Sequence, residues 1–366
     1  MLSFLLNARI AVVLCAVHIT QAAVAQDLTI GLWQGDFAAK YDSSVVDGWR
    51  SEFGAGAVVE DFNASTPLAR ADSGGAMVGF DVVALSGEEE STLCRANKLA
   101  KMVSAAAIGT EHLSSTANCG VPFISYGQTI GYNAATTHAP QGVNDFFDLA
   151  EFPGSRGLSA FPKGVLEMAL LADGVVPDDV YDLLGTDYGL SQAIAKLEQI
   201  KTQIVWLPHG SSAVEFLSDG ELSMALTWSH RFNQAAAAGA PVRATHNFML
   251  VEHEYLAIPF TAEENPSATS FVGYATSPAG LQTFDNVLGG LYSVPSESVS
   301  RQHRDDKRYA QACPRNTCPC TGLSNGCDGS CCADIEGFAG HFEIDEEFWS
   351  LNHQRLDQVY QSWRLQ

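Results

Sequence analysis

The sequence predicts an α/β fold, with helices alternating with the strands of a mostly parallel sheet. Three observations predict it. The chain opens in a β-α-β-α-β order, Phe80–Ser86 is a near-continuous apolar strand of the kind buried on both faces, and 366 residues ask for about two domains.

The elements follow in order. Leu28–Trp33 is a short apolar strand, Val45–Phe53 has helical spacing, Val58–Phe62 is a second strand and Phe80–Ser86 a third. Strands joined this way need right-handed crossovers, and ligands then sit at their carboxyl ends. That places Trp33 and Ser86–Glu88 at a binding edge. Phe123–Asn133 reads as an extended crossover. Gly164–Leu171 is apolar nearly all round and predicts a buried helix. Pro177-Asp178-Asp179 starts another, with carboxylates in the first turn. Leu190, Ala193, Ile194, Leu197 and Ile200 form one helical stripe. Strands Ile204–Leu207 and Leu222–Trp228 flank a helix over Gly210–Leu217, and Glu254–Pro259 returns toward the first part of the chain. Ser267–Leu288 is helical with a break near Ser277-Pro278. The terminal helix Asp345–Arg364 carries Trp349, Leu356, Val359, Tyr360 and Trp363, whose aromatics are expected to pack rather than touch ligand.

Residues 1–25 read as a signal peptide: Arg9, the apolar run Ile10–Ile19 and the A-x-A site Ala23-Val24-Ala25. The run is too short to span a bilayer, so the expected location is the periplasm. Leu14 stands where a lipoprotein needs a small residue before Cys15. With 42 acidic and 20 basic residues the net charge is −22. This excludes nucleic acid as a partner; it suits a cationic solute, and equally simple solubility.

Nine cysteines include Cys15 in the signal, and the even number left in an exported chain suggests disulfides. Cys313, Cys318, Cys320, Cys327, Cys331 and Cys332 crowd into a Pro-, Gly-, Asn- and Ser-rich stretch. Such density suggests a small disulfide knot. A metal site is the alternative, although C-x4-C-x-C-x6-C-x3-C-C matches no zinc spacing. Enzyme signals are poor. Gly210-Ser211-Ser212-Ala213 lacks the second glycine of a nucleophile elbow, and neither G-x-G-x-x-G nor a Walker loop occurs. His209, His230, His246 and His253 are scattered, with His246 and His253 placed to approach on neighbouring strands. No catalytic activity, cofactor or metal is expected.

The stretch Phe152–Phe232 is more specific. It begins F-P-G-S-R-G-L-S-A-F-P-K-G-V-L-E-M-A-L-L-A-D-G-V-V-P-D-D-V-Y-D-L-L, continues through A-I-A-K-L-E-Q-I-K and ends L-S-D-G-E-L-S-M-A-L-T-W-S-H-R-F. In order and spacing it resembles the second lobe of periplasmic solute-binding proteins of ABC importers, in the spermidine/putrescine-binding family. A weaker likeness runs from about Leu28 to Trp363 and breaks at the cysteine-rich insertion, 303–335. The resemblance implies a two-lobe periplasmic binding protein fold with hinge crossovers. Lobe 1 would span 26–131 and 256–298, and lobe 2 would span 132–255 and 299–366. It implies a monomer that captures a polyamine-like or other small amine-bearing solute by closing its lobes, then serves a membrane permease of an ABC importer. It also implies a Cys94–Cys119 disulfide, since the family places one cysteine after the third strand and another before a Gly-Val pair, here Gly120-Val121.

Amines are held by aromatic faces and carboxylates. The implied ligand set is Trp33, Tyr126 and Trp228 as aromatics, Ser86 as a contacting serine, Glu88 where an aromatic is usual, and Glu254 as the amine-binding acid. Two departures bear on the ligand. The acids that polyamine binders carry at the start of the second-lobe helix fall here at Phe161 and Gly164, with Lys163 between them. Arg231 lies near the pocket edge, where a carboxylate would find a two-point partner. An amino-acid-like zwitterion is therefore as defensible as a polyamine. A secreted metal-binding or redox protein using the cysteine cluster is the alternative from another class.

Overall fold

Two long strands organise the molecule. In a computed structural model of the chain, the described residues are 27–33, 36–54, 56–61, 77, 79–102, 119–136, 138–245, 247–288 and 340–366. The expected signal peptide, residues 1–25, His246 and the cysteines Cys313–Cys332 lie outside them. Ten strands are described: β1 (Leu28–Leu32), β2 (Ala57–Asp61), β3 (Val82–Ser86), β4 (Gly120–Asn133), β5 (Arg156–Ser159), β6 (Ile204–Leu207), β7 (Met224–Trp228), β8 (Val242–Ala244), β9 (Phe248–Ala257) and β10 (Gly340–Glu343). They form one sheet in the order β2-β1-β3-β9-β4-β7-β5-β6, with β10 beside β9 and β8 beside β4.

The two wings are parallel, β2-β1-β3 on one side and β7-β5-β6 on the other. Between them β4 and β9 run antiparallel, from Gly120 opposite Ala257 to Gln128 opposite Leu250. Their other neighbours change along their length. β9 pairs with β3 over Glu254–Ala257 and with β10 over Phe248–Val251. β4 takes β7 as a partner only from Gln128 onward. Pro122 has no N–H to give to a ladder, and the register slips between Pro122 and Ile124.

Each half has its own core. One gathers Ile30, Val45, Trp49, Val82, Phe123, Leu256 and Phe271 around β1 and β3. The other gathers Ile130, Phe146, Leu158, Leu166, Leu170, Leu197, Trp349 and Tyr360. The expected buried helix is Val165–Ala172, with every residue buried. The terminal helix Glu346–Arg364 buries the aromatics Trp349, Tyr360 and Trp363 together with Leu356, whereas Val359 is 39% exposed. Residue 359 lies one position before Tyr360, about 100° round the helix, and so turns off the buried stripe. Among the described residues, no helix is long and apolar enough to cross a membrane.

Several elements escaped the sequence reading, and three of them bear on the waist of the sheet. The helix Gly87–Arg95 has no apolar stripe to announce it, yet its start was legible as a capping box. Ser86 Oγ accepts from the Glu89 N–H at 3.4 Å, and the Glu89 carboxylate accepts from the Ser86 N–H at 3.2 Å. The helix Ser229–Ala237 buries only Phe232, so its pattern is faint. Strand β9 starts at Phe248, well before Glu254, because it is covered on both edges by β4 and β10.

The start of β4 is anchored twice. Cys94 and Cys119 are joined as a disulfide, and Glu90 Oε1 accepts from the N–H groups of Cys119 and Gly120 at 3.0 and 2.8 Å. Arg156 performs the same service for the loop before β5. It is fully buried and donates to the carbonyls of Phe146, Asp148, Phe152 and Gly154. Lysine lacks the planar fork needed to reach four carbonyls. Arg156→Lys should therefore lower unfolding stability by about 3 kcal/mol, read from denaturant titration. A change below about 0.5 kcal/mol would show that the loop holds without this knot.

Candidate functional site

The waist of the sheet floors a cavity of about 730 Å³, within the range of small-molecule sites. Strand periodicity builds that floor. On β4, Tyr126 and Gln128 are two apart and share a face; on β9, Glu252 and Glu254 do the same. Tyr126 sits directly opposite Glu252 in the ladder. Trp33 enters just after β1, Ser86 at the end of β3 and Trp228 at the end of β7. These are carboxyl ends of strands, where α/β sheets place ligands.

Six of the seven ligand residues expected from the sequence line this cavity: Trp33, Ser86, Tyr126, Trp228, Arg231 and Glu254. Glu88 is not on the lining. Its carboxylate faces Lys163 Nζ at 3.6 Å and His353 Nδ1 at 3.6 Å. The Ser86 hydroxyl is partly committed, since it caps its helix and also donates to Glu89 Oε2 at 3.1 Å. Tyr126 and Trp228 meet edge to face, with centroids 5.0 Å apart. Ser211 and Ser212 do not line the cavity. Neither does His253, which bonds Ser125 Oγ at 2.8 Å and Glu343 Oε1 at 2.7 Å.

The sequence reading missed Gln128, Glu252, His209 and His230, and noted Lys163 only as a departure. The two-residue spacing from Tyr126 and Glu254 was the available signal for Gln128 and Glu252. Lys163 precedes Gly164, whose φ of +84° suits glycine alone. That turn starts the helix Val165–Ala172, and the Gly164 N–H is taken by Glu167 Oε2 at 2.8 Å.

Charge on the walls is unevenly used. Lys163 Nζ lies 3.0 Å from Glu252 Oε2 and 3.1 Å from Glu346 Oε2, besides Glu88. Burial opposes its charge, but Glu252, Glu346 and Glu88 outweigh burial and raise its pKa. Gln128 Nε2 donates to Glu252 Oε1 at 3.1 Å, so both Glu252 oxygens are engaged. By contrast, Glu254 Oε2 and Arg231 Nε have no hydrogen-bond partner among the described residues. Burial pushes Glu254 up to about 8, aided by Glu89, Glu252 and Glu346 and opposed by the Trp33 indole. His230, beside Arg231, is pushed down to about 4 by burial and by that guanidinium, so it stays neutral at neutral pH. The cavity thus presents an acid and a guanidinium with capacity to spare, between aromatic faces.

Two cores joined through shared strands, with a polar and aromatic cavity at the waist, define a two-lobe binding protein. Residues 59–311 match the model of the bacterial extracellular solute-binding protein family, and the chain belongs to that family. It is 27% identical to the gamma-aminobutyric acid-binding protein of Pseudomonas aeruginosa, over 93% of this chain and 92% of that one. A solved GABA receptor has the same fold, with a TM-score of 0.69 at 22% identity, covering 92% of this chain and 97% of the other. The spermidine/putrescine-binding protein of Streptococcus pneumoniae also shares the fold, with a TM-score of 0.64 at 16% identity, over 93% and 100% of the two chains. Family membership makes this chain an extracytoplasmic solute-binding protein.

Proposed function

We propose that this protein is the solute-capturing component of an ABC importer and that its ligand is a small zwitterion carrying one amine and one carboxylate. One observation carries this reading: of the charged side chains lining the cavity, Lys163 and Glu252 satisfy each other, while Glu254 and Arg231 keep unpartnered polar atoms. An ammonium at Glu254, among Trp33, Tyr126 and Trp228, gains charge-assisted hydrogen bonds and cation–π attraction. A carboxylate at Arg231 gains a planar donor pair. The P. aeruginosa relative is named for γ-aminobutyric acid, a molecule of this chemistry. A purely cationic polyamine fits less well, because it leaves Arg231 facing a like charge.

Lobe closure about β4 and β9 brings the two walls together over the solute. Strand pairing changes partner between Ile124 and Gln128 on β4 and between Val251 and Glu254 on β9, which supports lobe limits near these places. Those places are a few residues before 131 and 255. A thermal-shift panel of ω-amino acids, α-amino acids, diamines and monocarboxylates tests the ligand class. A zwitterion at 100 times its dissociation constant should add about 2.7 kcal/mol of stability. If only diamines move the melting temperature, the zwitterion reading is wrong.

A further inference from the structure

The Lys163 ammonium is surrounded by more acid than a structural ion pair needs. Three carboxylates converge on it from three elements: Glu88 in the first turn of the helix Gly87–Arg95, Glu252 on β9 and Glu346 in the first turn of the terminal helix. Glu252 and Glu346 are nearly buried, with side chains 1% and 8% exposed. Lys163 and Glu252 both line the cavity, so this acidic nest opens onto the space where a ligand sits. Glu346 Oε1 has no hydrogen-bond partner among the described residues. Convergent carboxylates beside an apolar and aromatic wall form the recognition chemistry of a free ammonium group. Here the ammonium is supplied from within the chain.

We propose that Lys163 is the specificity-determining residue of the cleft: a tethered ammonium that fills a second amine subsite made by Glu88, Glu252 and Glu346, and so excludes diamines and polyamines. The inference deepens the zwitterion reading, since it explains why a cavity lined by Glu252 and Glu254, with Glu88 and Glu346 close behind, takes a ligand with only one amine. A diamine entering the native cleft would place one ammonium at Glu254 and find the other acids occupied. Its second charge would lie near Lys163 or Arg231, and like charges brought together cost affinity. Removing the Lys163 charge leaves Glu252 buried and uncompensated. A free ammonium is then the natural replacement.

The test is calorimetric titration of 1,4-diaminobutane and of 4-aminobutanoate into wild type, Lys163→Ala and Lys163→Gln. The diamine should bind Lys163→Ala at least tenfold more tightly than wild type, with Lys163→Gln between them. Ethylammonium, which mimics the missing lysine head, should raise the melting temperature of Lys163→Ala by more than that of wild type, where only the Glu254 site is open to it. If a variant does not fold alone, added diamine should restore cooperative unfolding, and failure to do so overturns the proposal. A wild type that binds diamine as tightly as the variants also overturns it, as do folded variants with no diamine gain. The diamine arm is scored by itself. Absence of 4-aminobutanoate binding to wild type counts against the zwitterion reading alone.

Discussion

Affinity for a zwitterion such as 4-aminobutanoate should climb by up to tenfold per pH unit from pH 6 and level off above about pH 8. The cause is Glu254, whose burial holds its pKa at about 8 in the free protein. An ammonium ligand needs the carboxylate form, so binding below pH 8 must expel a proton, and mass action then couples affinity to pH. The ligand amine, with an ordinary pKa near about 10, stays charged throughout. Glu254→Gln should flatten the profile and weaken binding at pH 8.5 by about thirtyfold, the loss of one charge-assisted hydrogen bond of about 2 kcal/mol. Burial also raises Glu346, against the pull of the Lys163 ammonium, so the flattening in Glu254→Gln is what assigns the effect to Glu254. Stability of the ligand-free protein runs the other way. Both carboxyls have folded pKa values above their ordinary 4.5. The folded state therefore holds protons that the unfolded state has lost, and stability falls as pH rises from about 4.5 to about 8. Calorimetry across this range reads both slopes. A pH-independent affinity in wild type would place the amine elsewhere.

Arg231→Ala should weaken 4-aminobutanoate binding by about 3 kcal/mol, roughly a hundredfold, while leaving butylamine within threefold. Truncating one side of a desolvated charge pair strands the other charge, whereas an amine without a carboxylate has nothing to lose. Arg231→Lys should fall between, because lysine keeps the charge and loses the planar two-point contact. A diamine should bind Arg231→Ala better than wild type, since a like charge has gone. If butylamine and 4-aminobutanoate lose affinity equally, Arg231 shapes the wall rather than holding a carboxylate. If neither changes, the zwitterion reading loses its anionic half.

The parallel wings were legible because buried strands advertise themselves as apolar runs. Ile204–Leu207 was read with its observed limits, and β1, β3 and β7 within one or two residues of theirs. The helix Val165–Ala172 was equally plain. What stayed hidden was polar or short. The helix Gly87–Arg95 carries Glu88, Glu89 and Glu90 and is held by its cap and by Glu90's hold on β4. Four-residue β5 depends on the tertiary knot around Arg156. Six of the seven predicted ligand residues share one cavity because their positions came from a family pattern tied to strand ends. Glu88 went astray because a helix starts at Gly87 and turns it toward Lys163 and His353. Lys163 itself could be located but not understood. Its three acids lie 75, 89 and 183 residues away in the chain, and only the fold brings them together.

The shared strands β4 and β9 also decide how this protein can be recombined. Tyr126 and Glu252 face each other across an unbroken antiparallel ladder, with Ile124–Glu254 on one side of them and Gln128–Leu250 on the other. On the lobe limits proposed above, a chimera that takes one lobe from a relative breaks the chain three times, and two of those breaks fall at rungs of the same ladder. Breakpoints that match keep every side chain on its own face. A mismatch of one residue inverts the alternation on one strand and turns the ligand-facing row toward the back of the sheet. Lobe exchange between relatives is thus quantised: whole rungs can be traded, and the paired rows Tyr126–Glu252 and Gln128–Leu250 are where the scissors fit.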